Sequence, residues 1–173
     1  DQVAAMHERM EQLLDELLAL AREGDRVIDP EPVALDTVAR ESWATVDTDA
    51  ATLDVRGSAT VRADRHSLQQ LLENLYRNAV EHSSSSSQTG SDDRLTISVG
   101  PMTGGFYVAD DGPGIPSSVR DRVFDRGFST DDDGTGYGLA IVADIVDAHG
   151  WSIAVAESAD GGARFEITGV DIE

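Results

Sequence analysis

Three short stretches restrict what this chain can fold into more than any other feature of its sequence. Residues 71–79 (LLENLYRNA) carry two amides among apolar residues, residues 110–115 (DDGPGI) form an acidic glycine turn, and residues 134–139 (GTGYGL) are rich in glycine. An amide-bearing helix can hold a metal ion, a carboxylate in a tight turn can recognise a base, and glycines at a helix start can hold phosphate. A fold that brings the three together contains the parts of a nucleotide pocket.

The first stretch predicts a helix with a polar line on an apolar face. Asn74, Asn78 and His82 follow one another at four-residue steps, so they lie on one side of a helix. A neutral amide oxygen can hold Mg²⁺, which keeps several waters and takes further ligands from phosphates. The alternative for one buried asparagine is an amide satisfied within the protein. The two glycine stretches downstream favour the metal site.

The second stretch follows the apolar strand residues 106–109. The turn requires Gly112 and Gly114 because the backbone must bend tightly there and approach a ligand. The carboxylate of Asp110 can accept the hydrogen bond that an exocyclic amine offers. Taken alone, the turn is more typical of an ordinary surface loop.

The third stretch ends at the start of a predicted helix. Unpaired amides and the positive end of the helix dipole attract phosphate there, and small residues let it come close. The segment is not a Walker loop, because no lysine follows it. The candidate phosphate-binding residues are Gly134, Thr135, Gly136, Tyr137, Gly138 and Leu139.

In order and spacing, the three stretches resemble the N, G1 and G2 boxes of the histidine-kinase ATP-binding domain, whose superfamily also holds gyrase, Hsp90 and MutL. The resemblance covers most of the chain after Asp25. It implies ATP and Mg²⁺ as cofactors, with Asn78 as the Mg²⁺ ligand, Asn74 beside it and His82 against the nucleotide. It also implies that Asp110 recognises the adenine amino group and favours ATP over GTP.

Between the two glycine stretches, Phe124 and Phe128 resemble the F box of the family. The resemblance makes residues 127–136 a mobile segment over the triphosphate. Arg126 is the cation nearest to it in sequence, so it is the candidate for contact with the γ-phosphate; the alternative is a solvated surface arginine.

Two departures from the family pattern leave the affinity for ATP open. Glu81 stands where family members often carry Lys or Arg near the phosphates, so Mg²⁺ or K⁺ would have to compensate that charge. Residues 131–133 (DDD) also make the segment over the phosphates short and acidic.

The residue one helical turn before Asn78 separates phosphotransfer from hydrolysis. ATPases of the superfamily carry a Glu there to activate water. This chain has Asn74, whose amide cannot take a proton, and Glu73 points away from that face. The resemblance therefore implies transfer to a separate group, in the family a His in an earlier H box, and disfavours an ATPase machine related to gyrase or Hsp90.

No convincing H box is present in this sequence. His7 and Glu8 faintly resemble its start, but the following proline is missing. We therefore expect no catalytic residue in this chain. The acceptor His and its base would lie in a dimerisation domain of the same parent protein, which is expected to be a homodimer. The phosphorylated His would then serve the receiver domain of a response regulator. The alternative is a degenerate nucleotide-binding or docking module that signals without phosphotransfer.

An apolar stripe runs along the first predicted helix. Two interpretations stand side by side: an amphipathic helix packed on its own domain, or the tail of a dimerisation hairpin. The resemblance favours the hairpin, so residues 1–24 are expected to end that hairpin and residues 25–173 to form the ATP-binding domain. The stripe consists of Val3, Met6, Met10, Leu13, Leu17 and Leu20.

The remaining pattern alternates helices and strands before hairpins dominate. Asp64 is expected to cap the helix that carries the two asparagines, and residues 83–93 to form a solvated polar loop. The sequence predicts an α+β fold, a two-layer sandwich with a mixed sheet and helices on one face, preceded by an N-terminal helix; by resemblance it is of the Bergerat type. The predicted helices are 36–46, 119–124 and 137–149, and the predicted strands are 51–56, 59–63, 95–99, 105–109, 152–157 and 163–168.

The charge balance excludes one class of partner and points to an environment. The chain has 33 acidic and 13 basic residues, a formal net charge of -20, and every basic residue is Arg. Nucleic acid is therefore an improbable partner. Concentrated salt would screen the self-repulsion, and the absence of Lys adds to the expectation of a halophile with a salt-accumulating cytoplasm.

Cysteine and hydropathy exclude further classes. The sequence has no Cys, so it forms neither disulfides nor thiolate metal sites. It has no signal peptide and no apolar run of the roughly 20 residues that a membrane span needs. The expected location is cytoplasmic without membrane contact. The start at Asp1 is interpreted as that of a piece of a longer protein, which could itself be membrane-attached.

Overall fold

Helices and strands alternate along the chain before three antiparallel pairings close the main sheet. The computed structural model describes residues 2–21, 28–46, 51–85, 95–124, 138–159 and 161–172. The helices are α1 Gln2–Ala21, α2 Leu35–Thr45, α3 Arg65–Ser85 and α4 Gly138–His149, with a 3₁₀ turn at Arg120–Arg122. The strands are β1 Glu31–Ala34, β2 Ala51–Val55, β3 Thr60–Ala63, β4 Leu95–Met102, β5 Gly105–Asp110, β6 Ser152–Glu157 and β7 Ala163–Thr168.

The main sheet is mixed, as predicted. Its five strands lie in the order β2-β4-β5-β7-β6. Strands β2 and β4 pair in parallel, while the β4–β5, β5–β7 and β6–β7 pairs are antiparallel. Strand β5 is therefore central, and the acidic turn that follows it begins inside the sheet rather than at an edge.

One face of this sheet and the helices α2, α3 and α4 form the core. Along β4, the buried residues Leu95, Ile97 and Val99 alternate with half-buried ones, which is the period of a strand with one face covered. Helices α2 and α3 contact β4, and α4 contacts β6 and α3. The predicted two-layer sandwich with an N-terminal helix is confirmed.

A second, two-stranded sheet lies apart from the main one. Strand β1 pairs antiparallel with β3, with Glu31 opposite Ala63. The end of the chain adds to it, because Arg62 N donates to Asp171 O at 2.9 Å and Val61 forms a bridge with Ile172. The sequence predicted β3 but not its partners, since pairing over such separations leaves no local pattern.

Two segments differ from the predictions. The expected helix at 119–124 is only a 3₁₀ turn, Arg120–Arg122, which fits a segment too short to propagate an α-helix. Helix α3 extends through Ser85 into the expected polar loop, because adding residues to a formed helix costs little. Residues 86–93 of that loop lie outside the described residues, as does Tyr137 at the expected start of α4.

Both tryptophans pack on aromatic neighbours. Trp43 on α2 meets the ring of Tyr76 on α3 edge-on, with centroids 5.1 Å apart, and the buried Tyr76 hydroxyl donates to Ala39 O at 3.0 Å. Burial raises the pKa of Tyr76, so this hydroxyl stays protonated. Trp151 stacks on His149 at 4.1 Å. Neither ring position assigns the tryptophans a chemical role.

Helix α1 leaves much of its apolar stripe exposed. Val3 is 75% exposed, Met6 65% and Met10 55%, whereas Leu13 is half-buried and the side chain of Leu20 lies outside the described part. The helix contacts α4. No helix in the described part of the chain combines the length and the apolar character that a membrane span requires.

Candidate functional site

The helix that carries the asparagines is fixed at its start by Asp64. Its Oδ1 accepts from Ser67 N at 2.9 Å, and its Oδ2 accepts from Asp29 N at 2.9 Å. The Asp64 N–H donates to His149 Nε2 at 3.0 Å, which ties the start of α3 to the end of α4. Burial raises the pKa of Asp64, but the amide donors of Asp29 and Ser67 outweigh it and hold the pKa below its usual value. The predicted cap is confirmed.

Asn74, on α3, is buried against the start of α4. It is 5% exposed, and its Nδ2 donates to Gln70 O at 2.9 Å, so its donor is satisfied within its own helix. Its Oδ1 lies beside Gly138, where an added Cβ would stand 3.6 Å away. Helix α4 packs along α3, which places the first residue of α4 against the predicted polar face.

One turn further along α3, Asn78 is half-buried. It shares the face of Asn74 by helical spacing. His82 belongs to the same helix, but its side chain lies outside the described residues. Groups of three or more His, Cys, Asp or Glu side chains that could hold a metal are not found among the residues described.

Glu73 is turned away from this face and toward α2. Its Oε1 accepts from Thr45 Oγ1 at 2.9 Å and from Gln69 Nε2 at 3.0 Å. This agrees with the expectation that Glu73 does not face the site of Asn74 and Asn78. The acidic group nearest in sequence to the asparagines is thus committed to packing between two helices.

Asp110 ends the central strand β5 with its carboxylate fixed by backbone amides. Its Oδ1 accepts from Gly112 N at 2.9 Å and from Ala163 N at 3.2 Å. The second donor belongs to β7, so the orientation of the carboxylate depends on the neighbouring strand as well as on its own turn. A fixed carboxylate is the arrangement that recognition of a base requires.

Ser158, between β6 and β7, binds the backbone carbonyl of Asp110. Its hydroxyl donates to Asp110 O at 2.7 Å and accepts from Gly162 N at 2.9 Å. Gly114, at φ +77°, approaches this turn closely, because a Cβ there would stand 2.9 Å from Gly161 O. Sequence reasoning identified the glycines as a turn and missed Ser158, whose partner lies 48 residues away.

The next residue, Asp111, ties the turn to β4 on the other side. Its Oδ1 accepts from Thr96 N at 2.8 Å, and its own N–H donates to Thr96 O at 3.3 Å. Beyond the turn, Arg120 Nε donates to Ile115 O at 3.1 Å, and Ile115 is buried. The acidic turn is thus held from β4, from β7 and from the 3₁₀ turn.

Of the predicted aromatic pair, Phe124 packs onto the sheet. Its ring meets that of Phe165 on β7 nearly edge-on, with centroids 6.3 Å apart. Leu139 at the start of α4 is buried. The remaining predicted residues of this region lie outside the described part of the chain: Arg126, Phe128, the acidic residues 131–133, Gly134, Thr135, Gly136 and Tyr137.

Glu81 is exposed on α3, and its Oε1 accepts a hydrogen bond from Gln12 Nε2 on α1 at 3.1 Å. The residue that departs from the family pattern therefore contacts the N-terminal helix. His7, also on α1, lies 3.1 Å from Glu11 and is exposed, as a solvated helical histidine would be.

The fold and the site together define a class: a two-layer α/β sandwich in which an amide-bearing helix borders a glycine-led helix and an anchored aspartate ends a central strand. Residues 63–171 match the family described as histidine kinase-, DNA gyrase B- and HSP90-like ATPase. This match covers more than half of the chain. The chain belongs to that family.

Curated relatives narrow the class further. The chain is 36% identical over 169 residues to the sensor histidine kinase ZraS of Klebsiella oxytoca, covering 91% of this chain and 35% of that protein. It is 36% identical over 115 residues to the sensor protein FixL of Bradyrhizobium diazoefficiens, covering 65% of this chain and 22% of FixL. The chain thus spans about a third or less of these relatives.

Solved structures agree in fold. The mycobacterial sensor histidine kinase MprB superposes with a TM-score of 0.65 at 26% identity, covering 82% of this chain and 97% of that one. Full-length ShkA in complex with AMPPNP gives 0.70 at 26% identity over 99% of this chain and 38% of ShkA. The catalytic domain of histidine kinase ThkA gives 0.62 at 25% identity over 81% and 94%. The chain corresponds to the ATP-binding catalytic domain of such kinases.

Proposed function

We propose that this chain binds ATP with Mg²⁺ and transfers the γ-phosphate to a histidine of a dimerisation domain in the same parent protein. The proposal rests on family membership together with the anchored carboxylate of Asp110. The AMPPNP complex of the related ShkA supports the choice of an adenine nucleotide.

The observation that carries the proposal is the fixation of Asp110. Two amides hold its Oδ1, at 2.9 Å from Gly112 N and 3.2 Å from Ala163 N. A carboxylate so oriented offers acceptors and no donor. Adenine presents an exocyclic amine at the position where guanine presents a carbonyl, so an acceptor in this place favours ATP.

Asn78 is the proposed Mg²⁺ ligand. A half-buried amide oxygen on the face shared with Asn74 fits an ion that takes one or two protein ligands and completes its shell with water and phosphate. When bound, Mg²⁺ would neutralise charge on the phosphate oxygens. His82 is proposed to contact the nucleotide from the next turn of α3.

The phosphates are proposed to lie at the start of α4. Gly138 brings no side chain to this position, where an added Cβ would stand 3.6 Å from Asn74 Oδ1, and the helix N-terminus offers amides and a positive dipole end. Gly112 and Gly114 belong to the base-recognising turn, and Arg126 is assigned to the γ-phosphate. The segment that completes the phosphate site consists of Gly134, Thr135, Gly136, Tyr137, Gly138 and Leu139.

Phosphotransfer is preferred over hydrolysis. Asn74 stands one turn before Asn78 and cannot accept a proton, and Glu73 is held toward α2 by Thr45. A water molecule at the γ-phosphate thus has no base from either residue. In the proposed transfer, the bond from the γ-phosphorus to ADP breaks, a nitrogen–phosphorus bond forms at the acceptor imidazole, and the imidazole proton passes to an acidic neighbour of that histidine.

The partners follow from the same reading. Residues 1–24 are proposed to end the dimerisation hairpin and residues 25–173 to form the ATP-binding domain, with the parent protein a homodimer. The receiver domain of a response regulator would then take the phosphoryl group from the histidine. Nucleic acid and membrane contact are not expected of this chain.

The setting is proposed to be the cytoplasm of a halophile. A net charge of -20 with no Lys is tolerated best where salt shortens the screening length to about 3 Å at 1 M. Salt in that setting would also offset the acidic residues 131–133 near the phosphates.

The decisive experiment is calorimetric titration of ATP and GTP, with Mg²⁺ and concentrated KCl, into the unsubstituted chain and two variants. Asp110→Asn keeps an oxygen for the anchoring amides but replaces the other acceptor by an NH₂ donor, so the preference for ATP over GTP should fall by about tenfold or more. Asn78→Ala should weaken both nucleotides in Mg²⁺ and neither when Mg²⁺ is chelated.

Gln69→Ala is the matched control, because it removes an amide from the α2-facing side of α3. It should leave both affinities unchanged. If the unsubstituted chain binds neither nucleotide at any salt concentration, the kinase proposal is overturned in favour of the degenerate docking module. Glu81 and the acidic residues 131–133 keep that module as the second candidate.

A further inference from the structure

We infer that Ser158 is a positioning residue for nucleotide specificity, acting through Asp110. It lies in the turn between β6 and β7, outside all three nucleotide-binding stretches. The inference deepens the proposed function, since it depends on Asp110 recognising the base.

Ser158 forms a closed set of hydrogen bonds with the glycine turn that follows it. Its N–H donates to Gly162 O at 2.8 Å, its carbonyl accepts from Gly161 N at 3.0 Å, and its Oγ accepts from Gly162 N at 2.9 Å. The residue is 9% exposed. These bonds fix the hydroxyl in place before it makes any contact outside the turn.

The hydroxyl proton then holds Asp110. Ser158 Oγ donates to Asp110 O at 2.7 Å, while Ala163 N, one residue beyond Gly162, donates to Asp110 Oδ1 at 3.2 Å. The segment from Ser158 to Ala163 thus forms hydrogen bonds with both the backbone carbonyl and the side-chain carboxylate of Asp110. Rotation of the carboxylate is restricted from both ends.

The packing around this contact leaves little room for relaxation. A Cβ on Gly162 would overlap the carbonyl oxygen and Oδ1 of Asp110, so the turn lies directly against the residue it positions. A hydroxyl that accepts from one group and donates to another is what Ser and Thr provide and Ala does not. Removing it leaves the Asp110 carbonyl and the Gly162 amide without this link, and the carboxylate gains freedom to turn.

Loss of position has a specific signature. A hydrogen bond to the base amine depends on angle as well as on distance, whereas phosphate binding at α4 does not depend on Asp110. Ser158→Ala should therefore weaken ATP at least about fivefold while leaving GTP and inorganic tripolyphosphate nearly unchanged. A merely structural loss would lower all three affinities together through the folded fraction.

The test is titration of ATP, GTP and tripolyphosphate into the parent chain, Ser158→Ala, Ser158→Thr and Asp110→Asn, with Mg²⁺ and concentrated KCl. Ser158→Thr keeps the hydroxyl and should restore most of the ATP preference. Ser42→Ala is the matched control, because it removes another buried serine hydroxyl, one that lies 3.5 Å from Gln69 O on α3. It should leave the ATP-to-GTP ratio unchanged.

Amide hydrogen exchange gives a second readout that needs no nucleotide. The Gly112 N–H donates to Asp110 Oδ1, so it should exchange faster in Ser158→Ala than in Ser42→Ala. If Asp110→Asn abolishes the ATP preference but Ser158→Ala keeps it with unchanged exchange at Gly112, the role of Ser158 is refuted and the proposed function stands. If Asp110→Asn leaves the preference intact, the base-recognising role of Asp110 fails, and the specificity role of Ser158 fails with it.

Discussion

At the scale of single residues, two glycines at the edge of the site differ in what they tolerate. An alanine Cβ at Gly138 would stand 3.6 Å from Asn74 Oδ1, an ordinary contact, whereas one at Gly162 would overlap Asp110. Gly138→Ala should leave the free energy of unfolding nearly unchanged, because Gly138 is the first residue of α4 and the preference for Ala over Gly, about 0.5–1 kcal/mol, applies to helix interiors. It should still weaken ATP binding, because the methyl group occupies space that a phosphate would use.

Gly162→Ala should instead cost about 1–3 kcal/mol by overpacking and also reduce the ATP preference. Urea denaturation with calorimetry on both variants separates the two effects. Parent-like ATP affinity in Gly138→Ala would mean that the phosphates do not approach the start of α4.

At the scale of secondary-structure elements, Asp64 joins the cap of α3 to the end of α4. Removing a cap carboxylate typically costs about 1 kcal/mol, so Asp64→Ala should lower the free energy of unfolding by that order at neutral pH. The pKa of Asp64 is lowered by folding, so its contribution is fully present above the unfolded pKa of about 3.9 and is lost as pH falls through the lower folded value. The gap between parent and variant should therefore close below about pH 4.

Urea denaturation from pH 7 to pH 3 in concentrated KCl checks this prediction. Asp54→Ala serves as control, because Asp54 on the edge strand β2 forms an exposed ion pair at 2.8 Å with Arg56, just beyond that strand, and its loss should change stability little at any pH. An Asp64→Ala deficit that persisted undiminished to pH 3 would contradict the assignment.

At the scale of the whole molecule, charge sets the conditions under which the fold is stable. With a net charge of -20 over 173 residues, self-repulsion opposes compaction until salt screens it. The melting temperature should rise steeply with KCl up to about 1 M and beyond. Neutralising the exposed residues Glu31 and Glu157 to Gln should raise the melting temperature in dilute buffer and leave it nearly unchanged in concentrated KCl.

Scanning calorimetry across a KCl series measures both effects. A parent melting temperature that does not change with KCl would refute the halophile proposal without touching the assignment of the fold.

Local chemistry explains which parts of this structure could be predicted. Strands β6 and β7 and the cap at Asp64 were predicted because alternation and capping are written within a few neighbouring residues. Asp110 was predicted as a site residue, but the residues that hold it, Ser158 and Ala163, were not. They are distant in sequence and approach Asp110 only because β7 pairs with β5. The bridge from Val61 to Ile172 was missed for the same reason.

The two tryptophans give the molecule a built-in optical record of its central helix. Trp43 touches Tyr76, which lies between Asn74 and Asn78 in sequence, and Trp151 stacks on the histidine that accepts from the cap of the same helix. A shift of α3 therefore changes the surroundings of one indole at its middle and of the other at its start. The chain has only these two tryptophans. Replacing Trp151 by Phe therefore leaves a label-free fluorescence signal from the middle of α3 alone, and replacing Trp43 by Phe leaves one from the start of α3 alone.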